Sequence, residues 1–550
     1  MAATFHSDLK IFNSSVCSPM ALAKCVSFFL CKIILFSSAC VSPEVSSKPE
    51  EARRPNFLII LADDMGYSDL GTYGGEIATP NLNQLAANGI KFNHFYNAAR
   101  CCPTRASLLT GLYPHQAGMG GMVSNFKSNP EPGPYQGYLN KQCMTMAEML
   151  KEAGYATYMA GKWHVGEKEE HWPRQRGFDR YFGLISGASS YYEIILHQPM
   201  IRQMALDDER WYPESKDFYM TDAFTDYGIQ FLEQHHLEQA DQPFLLYMAY
   251  TAPHWPLHAL EEDIARYENA YLGGWDSLRQ QRFQRMAELR LIDSTYQLPP
   301  REEGVPAWTE VENKADWARR MAVYAAMVDR LDQNIGRLLA TLKEQGELEN
   351  TVIMFLSDNG ASPENVEGRR LNNPLAKVGE RGSYVAYDKP WAIASNTPFR
   401  RYKAWVEEGG ISTPMIIHWP KGITEAGRMV SSYAHIVDVM PTLADLADTE
   451  YPASYQGESL HPLPGQSLRK YLENEEDQNE RPLFWEHQGH RAMRQGPWKI
   501  VTASPDEKWR LYHMQDDPTE LNDLSTQHAE RVALMDAAYQ AWADSVGVRK

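Results

Sequence analysis

Cysteine is scarce, with seven residues in 550, and four of them (Cys17, Cys25, Cys31 and Cys40) fall within the first forty. Cys101, Cys102 and Cys143 are what remains, too few for a disulfide framework. Positive charge is in deficit too. With 53 Lys and Arg against 71 Asp and Glu the formal net charge is -18, which argues against nucleic acid or an anionic membrane as the main partner, because both repel an acidic surface. A long unbroken apolar run is missing. The best stretch, "MALAKCVSFFLCKIILFSSAC", is interrupted by Lys32, so no transmembrane anchor is expected. No internal repeat or low-complexity array is present.

What is there begins with that stretch. Lys24, the apolar run and the small residues Ser37, Ser38 and Ala39 read as an export signal cleaved after Ala39, giving a periplasmic or secreted protein. The polar "SPEVSSKPEEARRP" behind it reads as a disordered tether, so residues 1–54 stand apart from the folded body. An upstream start codon with Met20 as the true start is the alternative. A lipoprotein anchored at Cys40 is disfavoured by Ser37, where such sites usually carry an aliphatic residue.

Beyond Arg54 apolar strand-type runs alternate with helical patterns, which predicts an α/β fold around a large, mostly parallel sheet sandwiched by helices. "NFLIILADD" is such a run. Thr79 and Pro80 open a short helix that stops near Gly89, and Thr145 with Glu148 are spaced for a capping box. Tyr324, Val328, Leu331, Ile335, Leu338 and Leu342 mark one buried helical stripe that ends near Gly346. "QPFLLYMAYTAPHWP", "TVIMFLSDNG" and "TPMIIHWP" are further strand candidates. The tail carries short strands in "RPLFWEHQGHRAMRQGPWKIVTA" and "KWRLYHMQDDP", then a helix from about His528. The expected division is 55–455 for a main domain and 456–550 for a small α+β subdomain.

Open α/β sheets bind ligands beyond the carboxyl ends of their strands. The distinctive polar residues fall there: Asp63 and Asp64 after one run, Lys162 and His164 after a second, His254 after a third, Asp358 and Asn359 after a fourth. Each acidic pair alone reads more readily as a turn or cap than as a metal site. Two such pairs, each behind a hydrophobic run, suit a hard divalent cation, Ca²⁺ or Mg²⁺.

"NAARCCPTRASLLTGLYPH" is the least ordinary stretch. Arg105 and a helix beginning near Pro103 favour an anion such as sulfate or phosphate, and would stabilise a thiolate equally. A vicinal disulfide and two small buried residues remain open on residue chemistry alone. Cys, Pro and Arg in the order C-x-P-x-R are expected by chance only about 0.02 times in such a chain.

"CCPTRASLLTG" resembles the signature of the type I sulfatases of the alkaline phosphatase superfamily, in which the first cysteine is converted to formylglycine. "NFLIILADDMGYSDLG", "GYATYMAGKWHVG", "YTAPHWP", "FLSDNGAS", "NTPFRRYKAWVEEGGISTP" and "LYHMQDDPTELNDL" are similar to sulfatase segments in the same order. The resemblance implies an arylsulfatase-like sulfuric ester hydrolase that cleaves an aryl or carbohydrate sulfate to alcohol and inorganic sulfate through a covalent sulfo-formylglycine intermediate. It implies that Cys101 is the position modified to 3-oxoalanine by a maturation enzyme, and that Asp63, Asp64, Asp358 and Asn359, with the modified Cys101, hold one divalent cation, usually calcium. Arg105, Lys162 and Lys403 would meet the sulfate; His254 with Lys403 would protonate the leaving oxygen, and His164 would assist release. His115, Trp255, His490 and Arg491 are the expected substrate contacts, with Tyr113 and His258 as softer candidates. The rivals are a phosphonate monoester or phosphodiester hydrolase of the same superfamily and an unmodified sulfate-binding homologue; a zinc clip on Cys101 and Cys102 is poorer still, since adjacent cysteines lack the usual chelating spacing and Cys143 alone offers a third sulfur.

Overall fold

"NFLIILA" becomes β1 (Asn56–Ala62), buried along its whole length. Phe57, Ile59 and Leu61 pack into one apolar cluster and Leu58, Ile60 and Ala62 into another. A strand covered on both faces has no need of polar alternation, which is why the sequence shows a continuous apolar run. The computed structural model describes residues 53–124, 127–196, 201–369, 371–475 and 479–549. The export signal, the Cys40 alternative and nearly all of the tether lie outside the described residues. No helix among the described residues is long and apolar enough to cross a membrane.

Residues 54–550 form one compact unit. Its main sheet also contains β2 (Ile90–Tyr96), β3 (Ala156–Gly161), β4 (Arg180–Leu184), β5 (Met204–Leu206), β6 (Glu209–Arg210), β7 (Phe244–Ala249), β8 (Thr351–Ser357), β9 (Ser412–His418), β10 (Arg428–Val430) and β11 (Ala434–His435). The order is β10-β2-β9-β8-β1-β7-β3-β4-β5-β6, with β11 also on β2. The central neighbours β8, β1, β7, β3 and β4 are parallel. The run "TPMIIHWP" supplies β9, which is antiparallel to both β8 and β2.

Register fixes the site. Leu61 and Gly161 both pair with Ala249, and Ala62 pairs with Ser357. Four strands therefore end level with one another, and the chain leaves all four at the same edge of the sheet.

Helices cover both faces. The helix Lys314–Glu344 starts ten residues before its apolar stripe and buries Val328, Leu331, Ile335, Leu338 and Leu342 completely; truncating one of them to Ala costs about 2–5 kcal/mol. On the other face lie Cys101–Thr110, Met146–Glu152 and Val439–Leu446. Met146–Glu152 carries the capping box: Thr145 Oγ1 accepts from the Glu148 N–H at 3.1 Å, and Glu148 Oε2 accepts from the Thr145 N–H at 2.7 Å.

The tail adds a two-stranded ribbon, β12 (Ser454–Tyr455) and β13 (Glu458–Ser459). An antiparallel meander follows, β14 (Leu483–His487), β15 (His490–Gln495), β16 (Trp498–Thr502) and β17 (Arg510–His513), with the helix Ala529–Val546 against it. The meander docks beside the start of Cys101–Thr110, where the Trp485 indole donates to the carbonyl of Asn97 at 2.7 Å.

Candidate active site

Cys101 is the first residue of its helix, and Pro103 stands third. The helix thus begins two residues before the expected start. Proline is tolerated there because the first backbone N–H groups of a helix have no intrahelical partner. The segment entering the helix is bent: Ala99 has φ 64°, and among the other residues at this edge Asp64 (68°), His164 (58°) and Ala404 (76°) are also left-handed. Such conformations cost about 1–3 kcal/mol each and concentrate at functional sites. Gly187 makes room in a different way, since a Cβ there would lie 2.3 Å from His164 Nε2.

The four strand ends and the Lys403 loop meet at one place. Lys162 Nζ donates to Asp63 Oδ2 at 2.6 Å. Arg105 donates to Asp358 Oδ2 at 3.1 Å and to the Lys162 carbonyl at 2.9 Å, and lies 3.5 Å from Asp63. Asn359 donates to Asp64 Oδ1 at 2.7 Å, and Lys403 donates to Asp64 Oδ2 at 2.9 Å, with His254 Nε2 3.4 Å from the same oxygen. All these side chains are buried.

Burial alone would raise every carboxyl here. Lys162 first, then His254 and Arg105, hold Asp63 down at about 2. Burial and then the neighbouring Asp63 push Asp358 well above the usual carboxylate range. Burial also lowers His164 to about 4 and lowers His254. Lys403 moves upward against its burial, because Asp64 and then Glu364 favour its charge.

These residues fit a hard cation. The donors are oxygens, and among the described residues Asp63 Oδ1 and Asn359 Oδ1 are buried with no hydrogen-bond partner, as expected of atoms that face an ion. His254 Nε2 lies within reach of the same group.

Cys101 and Cys102 are both free thiols and buried. The third group beside them is the His164 imidazole, 3.4 Å from Cys102 Sγ, whereas Cys143 donates to the Asn140 carbonyl elsewhere. Cys143 therefore offers no third sulfur to a zinc clip, which the spacing of adjacent cysteines already disfavours. A hydrogen bond from Cys102, then Lys162 and His164, pulls the Cys101 thiol well below its ordinary value, while burial pushes Cys102 well above. Only Cys101 of the two lines a cavity of about 270 Å³, together with His164, His254, Trp255 and Lys403.

Three expected substrate contacts are not brought to this cavity. His115 is buried where it meets Glu486 at 2.8 Å and Tyr135 at 3.1 Å. His490 packs on Trp405, ring centroids 4.2 Å apart, and Arg491 lies within electrostatic reach of Tyr539 on the closing helix. Tyr113 packs on Trp542 and Phe484. His258 is a structural tie, with Nε2 donating to the Ser383 carbonyl at 2.6 Å and Nδ1 accepting from the Tyr191 N–H at 3.3 Å. Trp255 does line the cavity, its indole donating to Glu364 at 2.7 Å.

Residues that sequence reasoning passed over complete the wall. Glu364 accepts from Arg100 at 3.0 Å and from Lys403 at 3.3 Å, tying the motif's preceding residue to the Lys403 loop. Its position six residues beyond Asp358 was the available signal. His487, rather than His490, is the tail histidine within electrostatic reach of Cys101 and Arg100. It is fully buried with no hydrogen-bond partner on either ring nitrogen among the described residues.

The family model described as Sulfatase matches residues 55–449. The chain belongs to the sulfatase family. This sulfatase also matches, over residues 400–539, a model described as N-sulphoglucosamine sulphohydrolase, C-terminal. It is 34% identical to an uncharacterised sulfatase of Schizosaccharomyces pombe, over 88% of this chain and 92% of the relative. It is 36% identical to an arylsulfatase of Klebsiella aerogenes, over 76% and 92%, and 27% identical to an N-acetylglucosamine-6-O-sulfatase of Bacteroides thetaiotaomicron, over 88% and 85%. The solved structure of Ps i-CgsB in complex with k-i-k-neocarrahexaose superposes with a TM-score of 0.66 at 26% identity, covering 89% of this chain and 93% of that one. The fold is thus the mixed, mostly parallel sulfatase sheet of the alkaline phosphatase-like superfamily with its C-terminal sheet subdomain, and the sulfatase is a sulfuric ester hydrolase.

Proposed function

We propose that this sulfatase hydrolyses an aryl or carbohydrate sulfate monoester with Cys101, matured to formylglycine, as the nucleophilic residue. The observation that carries this is the placement of Cys101 at the start of a buried helix, in a cavity whose wall also holds His164, His254 and Lys403. The hydrate of formylglycine supplies two geminal hydroxyls on one carbon, one to attack sulfur and one whose deprotonation later ejects sulfate, which a thiol has no second oxygen to do. The divalent cation that Asp63, Asp64, Asp358 and Asn359 would hold, calcium or magnesium, supplies fixed positive charge to the sulfate oxygens.

The chain's own residues do the rest. Arg105 and Lys162 are held by Asp358 at 3.1 Å and Asp63 at 2.6 Å, so they are already oriented for the incoming sulfate, an arrangement in which one lost donor costs about 10²–10³ in turnover. As the S–O bond breaks, the departing oxygen needs a proton. Lys403 holds one firmly beside Asp64. His254 bonds the Trp255 carbonyl through Nδ1 at 2.6 Å, which leaves Nε2 facing the site as the atom that relays the proton. His164, neutral at physiological pH, is the base for the second hydroxyl.

The cavity is near the lower end of small-ligand sites, about 300 Å³, and suits one ring with its sulfate. Aryl and sugar esters both meet that description, in keeping with the arylsulfatase and N-acetylglucosamine-6-O-sulfatase relatives and the oligosaccharide held by Ps i-CgsB. Export by the segment before Ala39 and maturation by a formylglycine-generating enzyme belong to the same proposal. Release of 4-nitrophenol from its sulfate and from its phosphate diester tests it. Faster sulfate cleavage is expected; faster diester cleavage reverses the substrate assignment, and cleavage of neither supports a binding protein.

A further inference from the structure

The cavity wall carries four cationic side chains, Arg100, Lys403, Arg202 and Arg369, against two carboxylates, Glu167 and Glu364. The first two cations are occupied. Arg100 donates to Glu364 Oε1, and Lys403 shares Asp64 and Glu364 Oε2. Arg202 and Arg369 are different. Neither makes an ion pair with a carboxylate among the described residues, and the Arg202 Nε is buried without a partner.

The two guanidinium groups are within electrostatic reach of each other, and Glu167 acts on Arg202 as a compensating charge. Arg369 is exposed and lies over the Trp255 ring, 4.5 Å from its centroid. That ring is fixed in turn by its indole bond to Glu364. Two like charges gathered at one mouth, one half-buried and one stacked, repel each other, and Glu167 within electrostatic reach of Arg202 and the Trp255 ring beneath Arg369 compensate them without an ion pair. A neutral leaving group gives them no occupation, whereas a planar or tetrahedral oxyanion matches the guanidinium fork.

We propose that Arg202 and Arg369 form an anion-reading rim beside Trp255, so that the preferred substrate is a sulfate ester whose leaving group carries a second anionic group, a carboxylate or another sulfate. This rests on the sulfatase reading of the cavity and names its substrate class. The rim discriminates by affinity and takes no part in bond breaking.

Half-exposed charge contacts are worth about three- to five-fold in affinity each, and so about ten-fold as a pair. Calorimetry on the calcium-loaded Cys101→Ala protein, which does not turn over, compares three esters: 4-nitrophenyl sulfate, 3-carboxy-4-nitrophenyl sulfate, and the bis-sulfate of 4-nitrocatechol. At least one of the two anionic esters is expected to bind about ten-fold tighter than 4-nitrophenyl sulfate, and the tighter of them tells carboxylate from sulfate. Adding Arg202→Gln and Arg369→Gln should reduce the advantage to under about two-fold while leaving 4-nitrophenyl sulfate affinity unchanged, which also reports that the variant is folded. Equal affinity for all three esters, or an advantage that survives both substitutions, overturns the proposal. Failure of the sulfatase reading shows separately, as no nitrophenol released from 4-nitrophenyl sulfate by the unsubstituted protein.

Discussion

Lys162→Met removes the ammonium that donates to Asp63 Oδ2 at 2.6 Å while keeping the length of the side chain. Both partners are fully buried, and the other cation within ion-pair distance of Asp63 is Arg105, at 3.5 Å. Breaking a buried pair by removing one member costs about 3–5 kcal/mol, because a charge is left in the interior. The loss should depend on calcium. Without the Lys162 ammonium, Asp63 keeps Arg105 as its remaining ion-pair partner among the described residues, and a divalent cation on the same carboxylate oxygens would offset the missing positive charge. Unfolding of both proteins, in chelator and in excess calcium, measures the coupling. In chelator the variant should be about 3–5 kcal/mol less stable; in calcium at least about half of that should return, since the ion stabilises the variant more than the parent. Aryl sulfate turnover should fall at least about 100-fold in both conditions. Equal stabilisation of the two proteins by calcium would refute the assignment of these carboxylates to the cation.

Cys102→Ala should keep turnover within about ten-fold and cost about 1 kcal/mol of stability, the scale of a small buried group, while Cys101→Ala should abolish turnover; equal losses from both would favour a paired role. Lys499 lies between two buried carboxylates, 2.7 Å from Glu408 and 2.9 Å from Glu520, and one ammonium cannot compensate both. Burial, with Glu408 adding to it against the pull of Lys499, lifts Glu520 to about 7. An acid raised in the folded state contributes its stability below its ordinary value of about 4.5 and loses it as pH rises through about 7. Glu520→Gln should therefore flatten the stability profile between about pH 5 and 8, and an unchanged slope in denaturant titrations would contradict this.

The sheet was legible because its central strands are buried on both faces and so read as unbroken apolar runs. The strand-end residues followed from the same fact. Once β1, β3, β7 and β8 are parallel and in register, Asp63, Lys162, His254 and Asp358 have one edge to share, although up to 295 residues separate them in sequence. The orientation of β9 was not legible, since an apolar run does not encode direction. The tail was harder still. Side chains alternate along a strand, so Glu486 turns to His115 while His487 comes within reach of Cys101, and which of the three histidines 487, 490 and 115 reaches the cavity depends on how the meander docks through Trp485. Arg202 comes from a loop and Arg369 from the single 3-10 turn Glu367–Arg369, neither long enough to show periodicity, and nothing near them in sequence distinguishes them from solvated surface cations.

Mass spectrometry of the tryptic fragment containing Cys101, taken from protein that is turning over 4-nitrophenyl sulfate, decides whether the first sulfur of the pair survives maturation. Formylglycine at Cys101 beside an intact Cys102 thiol is the expected result. An unmodified Cys101 thiol in fully active enzyme would contradict the mechanism.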